Sequence, residues 1–286
     1  MRYLISFMFL CFGLCSAAQD FQWALPLGSS SYDASTDVVS DAAGNVFLTG
    51  IFQGTIDMDP GPGTSNLSNL GSNDVFAAKY SPEGQLIWAV SFGGTQFDQG
   101  GAIQLDPDGN VYVAGGFRST VDFDPGPGVF NLTSAGNLDF FLVKLNPQGQ
   151  FIWAFRIGGT GEETAEAIEC DNGSVYFSGL FTNTVDFDPG SGTANLVPTG
   201  SQDAFIAKFT SDGSFVWAKN FGTSGGEFCY DLALSGGFIY ACGLFYGTMD
   251  VDPGPGTFNI VASGFNARNY LIKWTTDATF SWGVSY

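Results

Sequence analysis

The chain has no histidine, five cysteines and only nine lysines and arginines, set against 28 carboxylates. Without imidazole there is no Ser-His-Asp triad and no His-ligated zinc. No side chain titrates near neutrality at its ordinary pKa. Paired carboxylates are what remains for acid–base chemistry. The formal charge of −19 repels phosphate backbones and anionic lipid, so nucleic acid and membrane surfaces are poor partners. Cations and basic proteins are the electrostatically suited ones. Long helices are not expected, because 40 glycines interrupt every stretch.

After the first residues no apolar run is long enough for a membrane helix. Residues 1–18 read as a signal peptide. Arg2 supplies the charge, Tyr3 to Leu14 the short apolar run, and Ser16, Ala17 and Ala18 the small-residue cleavage site. Cleavage leaves Gln19 first, and the expected address is secreted, extracellular or cell-surface. Leu14 argues against a lipoprotein reading of Cys15. Cys170, Cys229 and Cys242 then remain, an odd number and no disulfide framework. A Cys229–Cys242 pair is the one bridge to look for.

What is abundant is repetition. Tryptophan recurs at Trp23, Trp88, Trp153, Trp217 and Trp282, at intervals of 65, 65, 64 and 65. Lys79, Lys144, Lys208 and Lys273 keep the same spacing, as do the Asp-x-Asp-Pro-Gly segments opening at Asp57, Asp122, Asp186 and Asp250. Hydrophobic residues at 44% and aromatics at 16% can fill a sizeable core.

Each unit carries four strand signals. In the second, Ala102 to Asp106 leads through the turn 107–110 to Val111–Phe117. A long connection follows to Phe140–Leu145, and the turn 146–149 leads to Phe151–Phe155. Four antiparallel strands in tandem predict an all-β chain, a β-propeller of four-stranded blades. The predicted domain is 19–286. It holds an outer strand at 21–28 and blades at about 36–92, 101–157, 165–221 and 230–286. Phe52, Phe117, Phe181 and Phe245 are expected between blades, and the recurrent lysine in an ion pair with a nearby aspartate.

The stretches Asp106–Gly115 (Asp-Pro-Asp-Gly-Asn-Val-Tyr-Val-Ala-Gly), Lys144–Gly149 (Lys-Leu-Asn-Pro-Gln-Gly), Trp153-Ala154 and Ile157-Gly158-Gly159 recur in this order along the chain. Together they resemble the SBBP-type bacterial β-propeller repeat, over nearly all of the chain after residue 18. The resemblance implies a secreted or surface repeat protein without a defined activity. The Asp-x-Asp-Pro-Gly-x-Gly segment makes these units longer than the plain repeat. The chain shows no C-terminal sorting domain of the kind many such proteins carry. Counting strands leaves the one at Trp23 without a blade to complete. That points to an incomplete ring of a larger propeller of six to eight blades, the alternative being a closed four-blade ring with a surplus strand.

Strand direction places the long connections and the inter-unit loops on one face. There lie the pairs Asp57/Asp59, Asp122/Asp124, Asp186/Asp188 and Asp250/Asp252, together with Asp33, Asp98, Glu163 and Glu227. Asn66, Asn131, Asn195 and Asn259 follow the pairs. Two carboxylates on one side of an extended segment suit calcium, one ion per blade. The competing reading makes them turn caps and lysine partners. No Ser-nucleophile motif, phosphate loop or metal-ligand cysteine pair is present. The acids are repeated, whereas glycoside cleavage needs one unequal pair. Sequons at Asn66, Asn131 and Asn172 carry no weight in a bacterial setting. The expected function is therefore a non-enzymatic binding or scaffold module for extracellular protein or polysaccharide, with no certain cofactor. The alternatives are a carbohydrate-active enzyme or its accessory module, and a purely structural spacer.

Overall fold

A computed structural model describes residues 23–286 except 25, 172, 263 and 265. The expected signal peptide at 1–18, with Cys11 and Cys15, and Asn172 lie outside the described residues. Every regular element among the described residues is a strand.

The first unit has β1 (Ala34–Ser40), β2 (Val46–Phe52), β3 (Thr55–Asp57), β4 (Asn66–Ser68), β5 (Asp74–Tyr80) and β6 (Leu86–Phe92). The second has β7 (Gln99–Leu105), β8 (Val111–Phe117), β9 (Thr120–Asp122), β10 (Asn131–Thr133), β11 (Asp139–Leu145) and β12 (Phe151–Ile157). The third has β13 (Glu163–Asp171), β14 (Ser174–Phe181), β15 (Val185–Asp186), β16 (Asn195–Leu196), β17 (Asp203–Thr210) and β18 (Phe215–Phe221). The fourth has β19 (Phe228–Ser235), β20 (Phe238–Phe245), β21 (Thr248–Asp250), β22 (Asn259–Val261), β23 (Arg268–Thr275) and β24 (Phe280–Ser285). Each unit forms one four-stranded antiparallel sheet, β1-β2-β5-β6 in the first, with its two short strands paired as a separate ribbon. We number the sheets 1 to 4.

The sheets stack in series, and the inner strands pack β1 on β7, β7 on β13 and β13 on β19. The arrangement is a propeller-like repeat. Three apolar clusters are the three junctions. One joins Phe47, Val75 and Ala77 of sheet 1 to Val113, Phe117 and Phe141 of sheet 2. The others repeat this between sheets 2 and 3 and between sheets 3 and 4. In the middle of the stack β8 and β11 are buried at every residue, because both faces of sheet 2 are covered. Phe117, Phe181 and Phe245 are fully buried in the three junctions, as expected, whereas Phe52, equally buried, lies on the far face of sheet 1 with Ile56 and Met58.

The recurrent Trp and Lys form a latch. They are cross-strand partners in every sheet, Lys79 opposite Trp88 and Lys208 opposite Trp217. The indole of Trp88 donates to the Pro147 carbonyl at 3.1 Å, and that of Trp217 to the Thr276 carbonyl at 3.3 Å, each in the last turn of the following sheet. Lys144 and Lys208 likewise reach the last turn of the sheet that follows, donating to the Ser211 and Thr276 carbonyls. Each ammonium also lies over an aromatic ring of its own sheet, Lys144 over Tyr112 at 4.9 Å. Gly149 shows why the turn needs glycine. Its φ is 76°, and a Cβ there would lie 2.8 Å from the Trp88 ring.

Trp23 donates to the Pro82 carbonyl at 2.7 Å, the same contact one unit earlier. The strand expected at 21–28 is not paired, however. Residues 23, 24 and 26–28 belong to no ladder, because each sheet already has its own outer strand. Cys170, Cys229 and Cys242 are free thiols, so the Cys229–Cys242 bridge is not formed.

Candidate functional site

The Asp-x-Asp segments are rigid and nearly identical. Asp57 Oδ1 accepts the amides of Asp59 at 3.0 Å and Ser65 at 2.8 Å, and Asp59 Oδ1 accepts that of Gly61 at 2.7 Å. Asp122 and Asp124 do the same for Asp124, Phe130 and Gly126. So do Asp186 and Asp188, for Asp188, Ala194 and Gly190. Asp250 and Asp252 complete the series on Asp252, Phe258 and Gly254. The residue between the two acids turns inward: Met58, Phe123, Phe187 and Val251 are completely buried. The motif is thus an apolar anchor flanked by two carboxylates that close the loop onto its own backbone. These amide bonds hold the Asp57 carboxyl below its ordinary range. Among the described residues no group of three or more His, Cys, Asp or Glu is arranged around a metal position.

Two expectations change here. The lysine partners are not the loop acids: Lys144 pairs with Asp106 at 3.2 Å and Lys208 with Asp277 at 3.8 Å. Nor do Asp98, Glu163 and Glu227 line an exposed rim. All three are buried and close the loops between units. Asp98 accepts the amides of Gly94 at 2.8 Å and Arg118 at 3.1 Å. Asp33 serves the Gln53 amide in the same way. Burial pushes Asp98 up to about 7, against the pull of its two amides. Burial also pushes Glu163 to about 7, with the Asp139 carboxylate adding to it.

A cavity of about 300 Å³ lies on the axis, between the four inner strands. It exists because every inner strand carries a bulge at the same place, between Ser35 and Asp37, Gly100 and Ala102, Ala165 and Ala167, and Cys229 and Asp231. The extra residues, Thr36, Gly101, Glu166 and Tyr230, all line the cavity. A bulge re-aims side chains, and here it turns them to the axis. Asp37, Glu166, Glu169 and Asp231, from three sheets, line the same space. Asp37 accepts the Ile103 amide of the neighbouring sheet at 2.9 Å, and Gln104 donates to Glu169 at 3.3 Å. Burial raises Glu169 to about 7, and Asp231 adds to the rise. The cavity therefore concentrates negative charge where a cation or a positively charged side chain would be welcome. Period-2 alternation signals strands but not bulges, and Gly101 at its inner strand was the only hint in the residues themselves.

A second concavity, about 460 Å³, runs at the outer edge between sheets 2 and 3. Trp153 and Phe155, stacked 9° from parallel, form one wall, and Asp188 and Asp212 stand opposite.

No family model matches the chain. Over 171 residues, 58% of its length, the chain is 29% identical to "Regulatory protein FlaEY" of Caulobacter vibrioides. Over 231 residues, 68% of its length, it is 25% identical to an uncharacterized WD repeat-containing protein of Acanthamoeba polyphaga mimivirus. The chain spans 17% of the length of each of these relatives. The similarity to a WD repeat-containing protein agrees with the propeller-like stack of four-stranded sheets.

Proposed function

We propose that the chain is a β-propeller of SBBP type, an incomplete ring of a larger propeller, that works outside the cell as a non-enzymatic binding scaffold for a basic protein partner. One observation carries the reading: bulges in all four inner strands open an axial cavity lined by Asp37, Glu166, Glu169 and Asp231. A Lys or Arg side chain of a partner fits that size and charge. The Asp-x-Asp loops add further negative charge elsewhere on the surface and bring partners by long-range attraction. SBBP membership rests on the repeated motifs, and the extracellular address on the first 18 residues.

The test is surface plasmon resonance against a panel of basic and acidic extracellular proteins, at low and high salt. Basic proteins bind, and high salt weakens them. The double variant E166Q/E169Q weakens binding at least about tenfold, a loss of about 1.4 kcal/mol. Equal binding by this variant and the native chain refutes the axial site. The Trp153–Phe155 wall with its facing carboxylates favours a second reading, a polysaccharide chain laid along the outer edge, which Trp153→Ala would abolish in a glycan array.

A further inference from the structure

In sheets 1 to 3 the face that carries the latch is closed by the next sheet. Phe47, Tyr112 and Tyr176 are 1%, 0% and 0% exposed. In sheet 4 the equivalent face joins no apolar cluster. Tyr240, Cys242, Leu271 and Trp282 are half-exposed, and Val284 is 47% exposed. Lys273 rests over Phe238 at 3.7 Å and Tyr240 at 5.2 Å, the same latch facing solvent.

The other end of the stack has the matching need. On the far face of sheet 1, Val46 and Leu48 are half-exposed, whereas Val111 and Val113 at the same places in sheet 2 are completely buried. Only the outer part of that face is covered. There Leu27 packs on the cluster of Phe52, Ile56 and Met58. It stands 65 residues before Phe92, which packs on the corresponding cluster of sheet 2. Trp23 holds the Pro82 carbonyl as Trp88 holds that of Pro147. Trp23 and Leu27 thus stand where an outer strand stands in the other sheets, with no inner strands beside them among the described residues.

Resting on the propeller reading above, we infer that the exposed face of sheet 4 docks a further sheet of this same repeat, one that brings its three inner strands and takes residues 23–28 as its outer strand. Continuity with the interface already made three times in the chain identifies the occupant. A second copy fits less well, since its sheet 4 would bring β24 to the position that Trp23 and Leu27 already fill.

The experiment joins a second copy of residues 222–276, which carry β19, β20 and β23 without β24, after Tyr286 of the full chain. Hydrogen exchange and sedimentation are then compared with the unextended chain. Amides of residues 23–28 and of β24 exchange at least about tenfold more slowly in the extended chain, and Trp23→Ala removes the gain at 23–28 while β24 keeps its own. The unextended chain sediments as a monomer. Unchanged exchange at both segments overturns the inference, and so does concentration-dependent dimerisation of the unextended chain, which would put a second copy on the face. Neither readout involves a bound partner, so failure of the axial site leaves this result standing, and the reverse.

Discussion

Lys144 and Lys208 offer a useful comparison, because the repeat gives them matching carbonyl and ring partners but different ion-pair partners. Both are nearly buried, with side chains 9% and 13% exposed. Both donate to a carbonyl of the next sheet, at 2.9 and 3.2 Å, and both lie over a tyrosine ring. The partner of Lys144 is Asp106, itself 8% exposed, while that of Lys208 is Asp277, 88% exposed. Lys144→Met strands a buried carboxylate, which costs about 3–5 kcal/mol when nothing else compensates. Asp106 keeps the amides of Asp108 and Asn110 and the Asn110 side chain, so the lower end of that range applies. Lys208→Met returns Asp277 to water, where an exposed pair is worth about 0–1 kcal/mol. The lost carbonyl bond and ring contact are common to both and cancel. We expect Lys144→Met to be less stable than Lys208→Met by about 2–4 kcal/mol in urea unfolding at neutral pH. Two spectroscopic probes should be followed, since stacked repeats can unfold in parts. Adding Asp106→Asn to Lys144→Met should recover most of the loss. A difference below about 1 kcal/mol between the two single variants would refute the assignment of Asp106 as the buried partner.

Three further outcomes are expected. Asp98 and Glu163, raised to about 7 by burial, hold protons in the folded chain that the unfolded chain has already released. Their contribution is present below the unfolded pKa and is lost as pH rises through about 7. Thermal midpoints should therefore rise as pH falls from about 8 to about 5.5, and Asp98→Asn should shrink that rise. The Asp-x-Asp carboxylates already close their loops on backbone amides, so EDTA and millimolar calcium should give the same midpoint, and a calcium-specific increase would restore a cation role to Asp57 and its counterparts. Gly149→Ala puts a Cβ against the Trp88 ring at a positive φ, and should cost about 1–3 kcal/mol by chemical denaturation, where Gly173→Ala, with open space around it, costs only the backbone part.

Most of the strand order is legible in the residues themselves. Val111–Phe117 and Phe140–Leu145 are read from β-branched and aromatic runs bounded by Pro-Asp-Gly-Asn and Asn-Pro-Gln-Gly, and both strands are found with those ends or one residue from them. Such signals are local, and a turn residue acts on its own backbone. The eight loop aspartates were also legible as a pattern, but their chemistry was open, because Asp-x-Asp reads alike as a cation cradle and as a pair of turn caps. The apolar residue between them, Met58 or Phe123, was the overlooked sign that the loop is anchored inward.

Residue order by itself determined the repeat, its phase, the four strands of each unit and the excess of negative charge, since each of these depends on neighbours along the chain. Tertiary structure decided the rest. It buried Asp98 and Glu163, set the Trp–Lys latch on the following turn, and turned Glu166 and Tyr230 to the axis through bulges. It also left the Tyr240 face open while closing the same face in three other sheets. Those outcomes depend on which sheet stands next to which. Identical local sequence meets a different neighbour at each end of the stack, so burial and partner choice are properties of the assembly of sheets.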